Sequence, residues 1–284
     1  MKNISLIALL TVICLQATRP VLAEEDTRAD CERLLVASLE AQGEWSSVHA
    51  AEYLLMLDNA EPVLAAFRPQ ADEQTPEYRI GVWRVLAQAE PVHVMRQRYI
   101  EKIRAVLLRE DSLDRLHAME SLAKLQAAIT SEEERTLVVA AAKQEHNPGQ
   151  AFALWRLIQA DPKSPALDRL VGMLDSTDPI ERLRAGFVLG ELPQRSEAIV
   201  TRLREVFASE EEDSLATPYL AVACGSNEMR EVLRSSNPAW QAVVIKGLVT
   251  RGEGVDLEWE SLPAEDQPLA LRMAVAFAML SKLK

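Results

Sequence analysis

Apolar residues along this chain recur three, four and seven positions apart, the spacing of one helix face, and no stretch of useful length alternates as a strand would. The clearest case is Ala185, Leu189 and Leu192 within Arg184-Ala185-Gly186-Phe187-Val188-Leu189-Gly190-Glu191-Leu192. The same small–large–large arrangement returns at Ala50/Leu54/Leu57, Ala118/Leu122/Leu125 and Ala276/Leu280/Leu283. Weaker copies sit at Gly81/Val85, Ala151/Trp155/Ile158, Ala216/Leu220/Ala223 and Ala242. These anchors lie about 32 residues apart on average, a period that marks a repeat architecture. Each interval has room for a second helix. Pro91 to Glu110, Ser131 to Lys143, Ala166 to Leu174, Glu197 to Ala208 and Asn227 to Ser235 are amphipathic in that way. Asn147-Pro148-Gly149, Asp161-Pro162, Asp178-Pro179 and Asn237-Pro238 supply the turns between them. Asp178 before Pro179 is an N-cap acceptor followed by proline in the first helical turn.

A helix pair of this size cannot bury its apolar stripe alone, so neighbouring pairs must stack to do it. The pattern therefore predicts an all-α chain, an α-solenoid of about eight stacked helix pairs forming one domain over residues 24–284. The segment Asp178-Pro179-Ile180-Glu181-Arg182-Leu183-Arg184-Ala185-Gly186-Phe187-Val188-Leu189-Gly190 resembles a HEAT repeat, in particular the short type of bilin-lyase-like HEAT domains. Arg182 stands three positions before the alanine, Gly186 is the second small residue, and Leu189-Gly190 follows, all as in that family's pattern. Arg115 supplies the arginine in the third unit; six other units lack it. The likeness covers most of residues 25–284 as a pattern and is specific in one unit. Tetratricopeptide repeats share the period, but their Trp/Leu-Gly/Tyr arrangement is absent. The resemblance implies a scaffold or binding surface.

Residues 1–23 read differently. Met1-Lys2 gives a positive start, Ile4 to Ala17 is an apolar run, and Val21-Leu22-Ala23 precedes the acidic Glu24-Glu25-Asp26. This is the pattern of a cleavable secretory signal peptide, and it predicts an exported protein, periplasmic or extracellular, with no membrane span after cleavage. Ile13 before Cys14 departs from a lipoprotein signal. Export also fits poorly with a bilin-lyase activity. Charge narrows the partners: the chain carries −12, and removal of Lys2 and Arg19 with the leader takes it to −14. That balance argues against nucleic acid. Two cysteines remain, Cys31 and Cys224. A disulfide is allowed outside the cytoplasm, but they fall near opposite ends of an elongated fold and are expected as separate buried thiols.

Helical geometry then predicts a working face. With Ala, Leu and Leu directed to the core, position +2 of each unit points away, giving Glu52, Trp83, Glu120, Ala153, Phe187, Pro218, Val244 and Ala278. Position −1 flanks it and includes His49, His117 and Arg184. With Arg79 and Arg84 beside Trp83, the candidate partner-binding groove is His49, Glu52, Arg79, Trp83, Arg84, His117, Glu120, Arg184 and Phe187. For Trp83 and Phe187 the alternative is burial under a neighbouring helix.

No catalytic, cofactor or metal site is predicted. There is no phosphate-cradling glycine loop, paired-histidine zinc helix or nucleophile elbow. Ser121-Leu122-Ala123-Lys124 has nucleophile spacing but lacks companion motifs. His49/Glu52 and His117/Glu120 each pair His and Glu on one helix face. They lie two units apart, about 20 Å at ~8–10 Å per step, which is too far for shared ligation. Finally, Leu269 to Leu283 is strongly apolar, and solenoids need capped ends. A partner, self-association with a second copy, or the segment Val255–Pro263 is expected to cover it. Two functional readings follow: a non-enzymatic exported scaffold recognising a protein or peptide partner through its concave face, or an accessory protein or enzyme binding a glycan or other small ligand in the same groove.

Overall fold

Asparagine, aspartate and serine set where several helices begin. Asp178 Oδ1 accepts from the Ile180 N–H at 2.8 Å, and Asn237 Oδ1 accepts from Ala239 at 3.0 Å and Trp240 at 3.3 Å. Ser131 and Ser196 cap their helices through the N–H groups of Glu134 and Ile199. Each such bond satisfies a donor that the first helical turn leaves unpaired. The computed structural model describes residues 25–40, 44–72, 75, 78–211, 213–253 and 261–282. The protein is all-helical over these residues, without strands.

The helices are α1 (25–38), α2 (Trp45–Met56), α3 (Ala60–Phe67), α4 (Tyr78–Ala89), α5 (His93–Leu108), α6 (Arg115–Lys124), α7 (Glu132–Lys143) and α8 (Gln150–Ala160). They continue as α9 (Ala166–Gly172), α10 (Pro179–Glu191), α11 (Glu197–Ser209), α12 (Thr217–Cys224), α13 (Ser226–Leu233), α14 (Pro238–Thr250) and α15 (Leu269–Lys282). Seven of the periodic anchors fall inside α2, α4, α6, α8, α10, α14 and α15, and Ala216 is the N-cap of α12. All eight are buried. Between Ala242 and Ala276 the described residues contain no second helix after α14.

α2 packs on α4, α4 on α6, α6 on α8, α8 on α10, α10 on α12, α12 on α14 and α14 on α15. Small residues permit the closest approaches. A Cβ on Gly81 of α4 would lie 2.8 Å from Val48 of α2, and one on Gly186 of α10 would lie 3.1 Å from Leu220 of α12. α2, α6 and α14 also end alike, with Asp58, Gln126 and Gly252 at positive φ. The next N–H then turns back to Leu54, Leu122 and Leu248 respectively, closing each helix in the Schellman manner.

The series returns on itself, because α15 packs against α2. Tyr53 and Phe277 stack with centroids 4.9 Å apart, and Cys31 Sγ of α1 lies 3.9 Å from Met279 Sδ. The apolar C-terminal helix expected to need a partner, a second copy or Val255–Pro263 as its cover is therefore covered by α1, α2 and α14. Met273, Ala274, Val275, Ala276, Phe277 and Ala278 are all buried. The leader at residues 1–23, residues 255–260 of that proposed cover, and Leu283 lie outside the described residues. Cys31 and Cys224 are both buried and free. Burial, with the neighbouring acids, raises the thiols to about 11 and about 12. No helix among the described residues is long and apolar enough to cross a membrane.

Candidate functional site

The circuit of helices surrounds an open cavity of about 2050 Å³ whose wall draws mainly on α2, α6, α8, α10, α12, α14 and α15, with single residues from α3, α4, α5 and α9. Helix α4 contributes only Gln88. At Gly81, Val48 and Trp45 of α2 press directly on the α4 backbone.

Six of the nine groove candidates line this wall: His49 and Glu52 from α2, His117 and Glu120 from α6, Arg184 and Phe187 from α10. The other three do not. Trp83 is buried, and its Nε1–H donates to the Ala71 carbonyl at 2.7 Å, with Lys102 5.3 Å from the ring centroid. Arg79 pairs with Asp114 through Nε at 2.7 Å and Nη2 at 3.1 Å. Arg84 is buried behind the wall and donates to Glu52 Oε1 at 2.8 Å and Ser121 Oγ at 3.2 Å. The structure thus puts the bulky +2 residue of the second unit under a neighbouring turn. The +2 residues Ala153, Val244 and Ala278 are likewise buried.

Arg84 also corrects the separation of the two His–Glu pairs. One guanidinium spans from Glu52 on α2 to Ser121 on α6, so they lie much closer than two stacking steps imply. The curvature of the closed series turns both faces toward one centre. There, Lys246 Nζ of α14 comes 3.7 Å from Glu52 Oε2, and His49 Nδ1 lies 3.4 Å from the same oxygen. Lys124 Nζ sits 2.6 Å from Glu120 and 5.1 Å from the Phe187 ring centroid. Burial would raise the Glu52 carboxyl, but the charges of Arg84 and Lys246 hold it well below the usual range. Burial likewise works against ionisation of Glu120, and Lys124 with the His117 bond overcomes it. Both carboxylates are already matched to cations. Among the described residues no three His, Cys, Asp or Glu side chains group as a metal cage.

An aromatic patch adjoins this charged centre. Phe187 meets Phe152, Trp155 and Tyr219 edge to face at centroid distances of 6.3, 6.0 and 6.2 Å. Burial, with Glu120 nearby, raises the Tyr219 hydroxyl. Pattern reading missed Lys124, Trp155, Tyr219 and Lys246. Lys246 carried a signal: it occupies the +4 position that the repeat reserves for a core leucine, so that helix must be rotated relative to its fellows. Trp155, at the same position in its own unit, satisfied the core pattern and gave none. No family model matches this chain, and no curated protein matches it in sequence.

Proposed function

We propose that this chain is an exported binding module, a HEAT-like solenoid of about eight helix pairs bent into a closed circuit, which takes an extended segment of a protein partner into its central cavity. The carrying observation is the cavity itself, about 2050 Å³ and lined by aromatic and charged side chains from α2, α6, α8, α10, α12 and α14. Small-molecule sites are generally about 300–1,000 Å³, and the extra room suits a run of several residues. The aromatic patch around Phe187 offers the apolar anchor that such recognition uses. Export rests on the leader pattern at residues 1–23, and the repeat assignment on the 32-residue period and the Asp178–Gly190 likeness.

The absence of intrinsic catalysis is part of this proposal. Acid–base pairs in active sites are set apart by environments that push one pKa up and leave the other low. Glu52 and Glu120 are both pushed down by adjacent cations, so neither suits a proton donor. The second reading, a glycan or other small ligand in the same cavity, draws support from Trp155, Phe187 and Tyr219 standing beside Glu120.

A photo-crosslinking residue placed at Gln88 or Thr250, which line the cavity, and at Arg135 on α7 tests the proposal in the producing cell. Adducts with a second polypeptide, mapped by mass spectrometry, are expected at the first two positions and not at Arg135. Adducts confined to Arg135, or none at all, would overturn it.

A further inference from the structure

Two arginines in the cavity wall have no carboxylate among the described residues to pair with. Arg195 follows α10 and donates through Nη1 to the carbonyls of Leu189 at 2.7 Å, Gly190 at 3.0 Å and Leu192 at 3.3 Å. Arg251, the C-cap of α14, donates through Nη2 to the Val222 carbonyl of α12. Both side chains line the cavity and are half-buried. The carbonyls they hold are neighbours, because a Cβ on Gly190 would lie 3.4 Å from the Val222 side chain. Two guanidiniums are thereby drawn to one corner, where the ends of α10, α12 and α14 meet.

Each is fixed by one nitrogen and keeps the rest of its donor fork. Arg195 Nε is buried with no hydrogen-bond partner. Burial, and then the like charge of Arg251, depresses Arg195, so an anion placed between them would relieve an existing repulsion. Helix C-terminal carbonyls attract cations, which accounts for one arginine at each helix end but not for two converging on a cavity with no described carboxylate at ion-pair distance. The wall as a whole carries six basic and five acidic side chains, in a chain whose overall balance is −12. Phe187 on α10 and Tyr219 on α12 lie about one turn, ~5 Å, before the corner.

We infer that Arg195 and Arg251 form an oxyanion subsite that receives a side-chain carboxylate of the partner segment, one turn beyond an apolar residue seated on Phe187 and Tyr219. Paired guanidiniums held in place suit this chemistry, since a planar fork binds a carboxylate through two hydrogen bonds at once. The inference rests on the cavity being the partner site, and it specifies that the segment is acidic and aromatic. A free phosphate shares the same recognition chemistry.

The full chain is titrated calorimetrically with a blocked hexapeptide of alternating Glu and Phe, with its Gln–Phe counterpart, and with inorganic phosphate. The Glu–Phe peptide is expected to bind at least about tenfold more tightly than Gln–Phe. Arg251→Gln should abolish that difference while leaving the helical circular dichroism unchanged. Arg195→Lys, which retains charge without the fork, should lose most of it. Equal binding of the two peptides would overturn the subsite and leave the cavity reading standing. Phosphate binding without discrimination between the peptides would overturn the carboxylate as the source. Binding of none of the three would overturn subsite and cavity reading together. An Arg251→Gln protein that loses its helical signal sends the decision to Arg195→Lys, where an unchanged peptide preference would refute the inference.

Discussion

Two ionic clusters in this molecule use the same residue types to different ends. One is sealed between helices: Glu134 of α7 accepts from Arg156 of α8 at 2.8 Å, Arg104 of α5 at 3.1 Å and the Thr130 N–H at 2.9 Å. Arg156 and Arg104 also hold the carbonyls of Ala127 and Ala128, so the cluster ties the α6–α7 connection to two helices. The other cluster, Glu52 with Arg84 and Lys246, faces the cavity. In the sealed cluster every charge is committed to fixing a turn, and Arg156 still leaves Nε and Nη1 without acceptors. In the open one Lys246 stands at a looser 3.7 Å, within reach of anything that enters. Burial of charge alone marks a structural brace; charge at a cavity wall with room to exchange partners marks a place for recognition.

The largest expected effect is on the sealed cluster. Glu134→Ala strands two buried guanidiniums and should cost about 3–5 kcal/mol, read as a shift of the urea midpoint. Glu52→Gln should cost about 2 kcal/mol, since Arg84 keeps Ser121 and Lys246 can turn to the cavity. The part of its cost that comes from the more accessible Lys246 contact should fall at high salt, whereas the cost of Glu134→Ala should not. Equal costs and equal salt responses would dissolve the distinction between the clusters. Acid provides the next test. Glu134 and Glu52 are both depressed, against the raising effect of burial, by their cations and hydrogen bonds. Their stabilisation is complete above the ordinary glutamate value of about 4.3 and is lost as pH falls through their lower folded values. Thermal midpoints between pH 5 and 2 should fall less steeply in Glu134→Gln than in the parent chain.

The smallest effect belongs to an exposed pair. His146 Nδ1 lies 2.8 Å from Glu181 Oε1, and that bond raises the imidazole pKa. Whatever stability it adds is present below the ordinary histidine value of about 6.5 and disappears as pH rises through the raised one. An NMR titration of His146 in the parent chain and in Glu181→Gln should show the higher midpoint only in the former.

Much of the architecture was written in the spacing of small and large apolar residues. The anchors from Ala50 to Ala276 identify the helices that ring the cavity, and the Asp178 and Asn237 caps lie where turn chemistry puts them. Facing directions were legible only in part. Glu52, Glu120 and Phe187 share a face because α2, α6 and α10 share a register, while Trp83 departs, its ring tucked under Lys102 and bonded to the Ala71 carbonyl. Closure was not legible. It depends on how α15 comes back onto α2, and nothing local in α15 announces that Phe277 will meet Tyr53.

That meeting has a consequence in time. Cys31 and Tyr53 find part of their cover on a helix synthesised more than two hundred residues later. At ~5–20 residues per second, ribosomal synthesis leaves this apolar strip without its final partner for on the order of 10–50 s. Until then Cys31 and Tyr53 lack that contact, and protease resistance of the early helices is expected to rise when α15 is added.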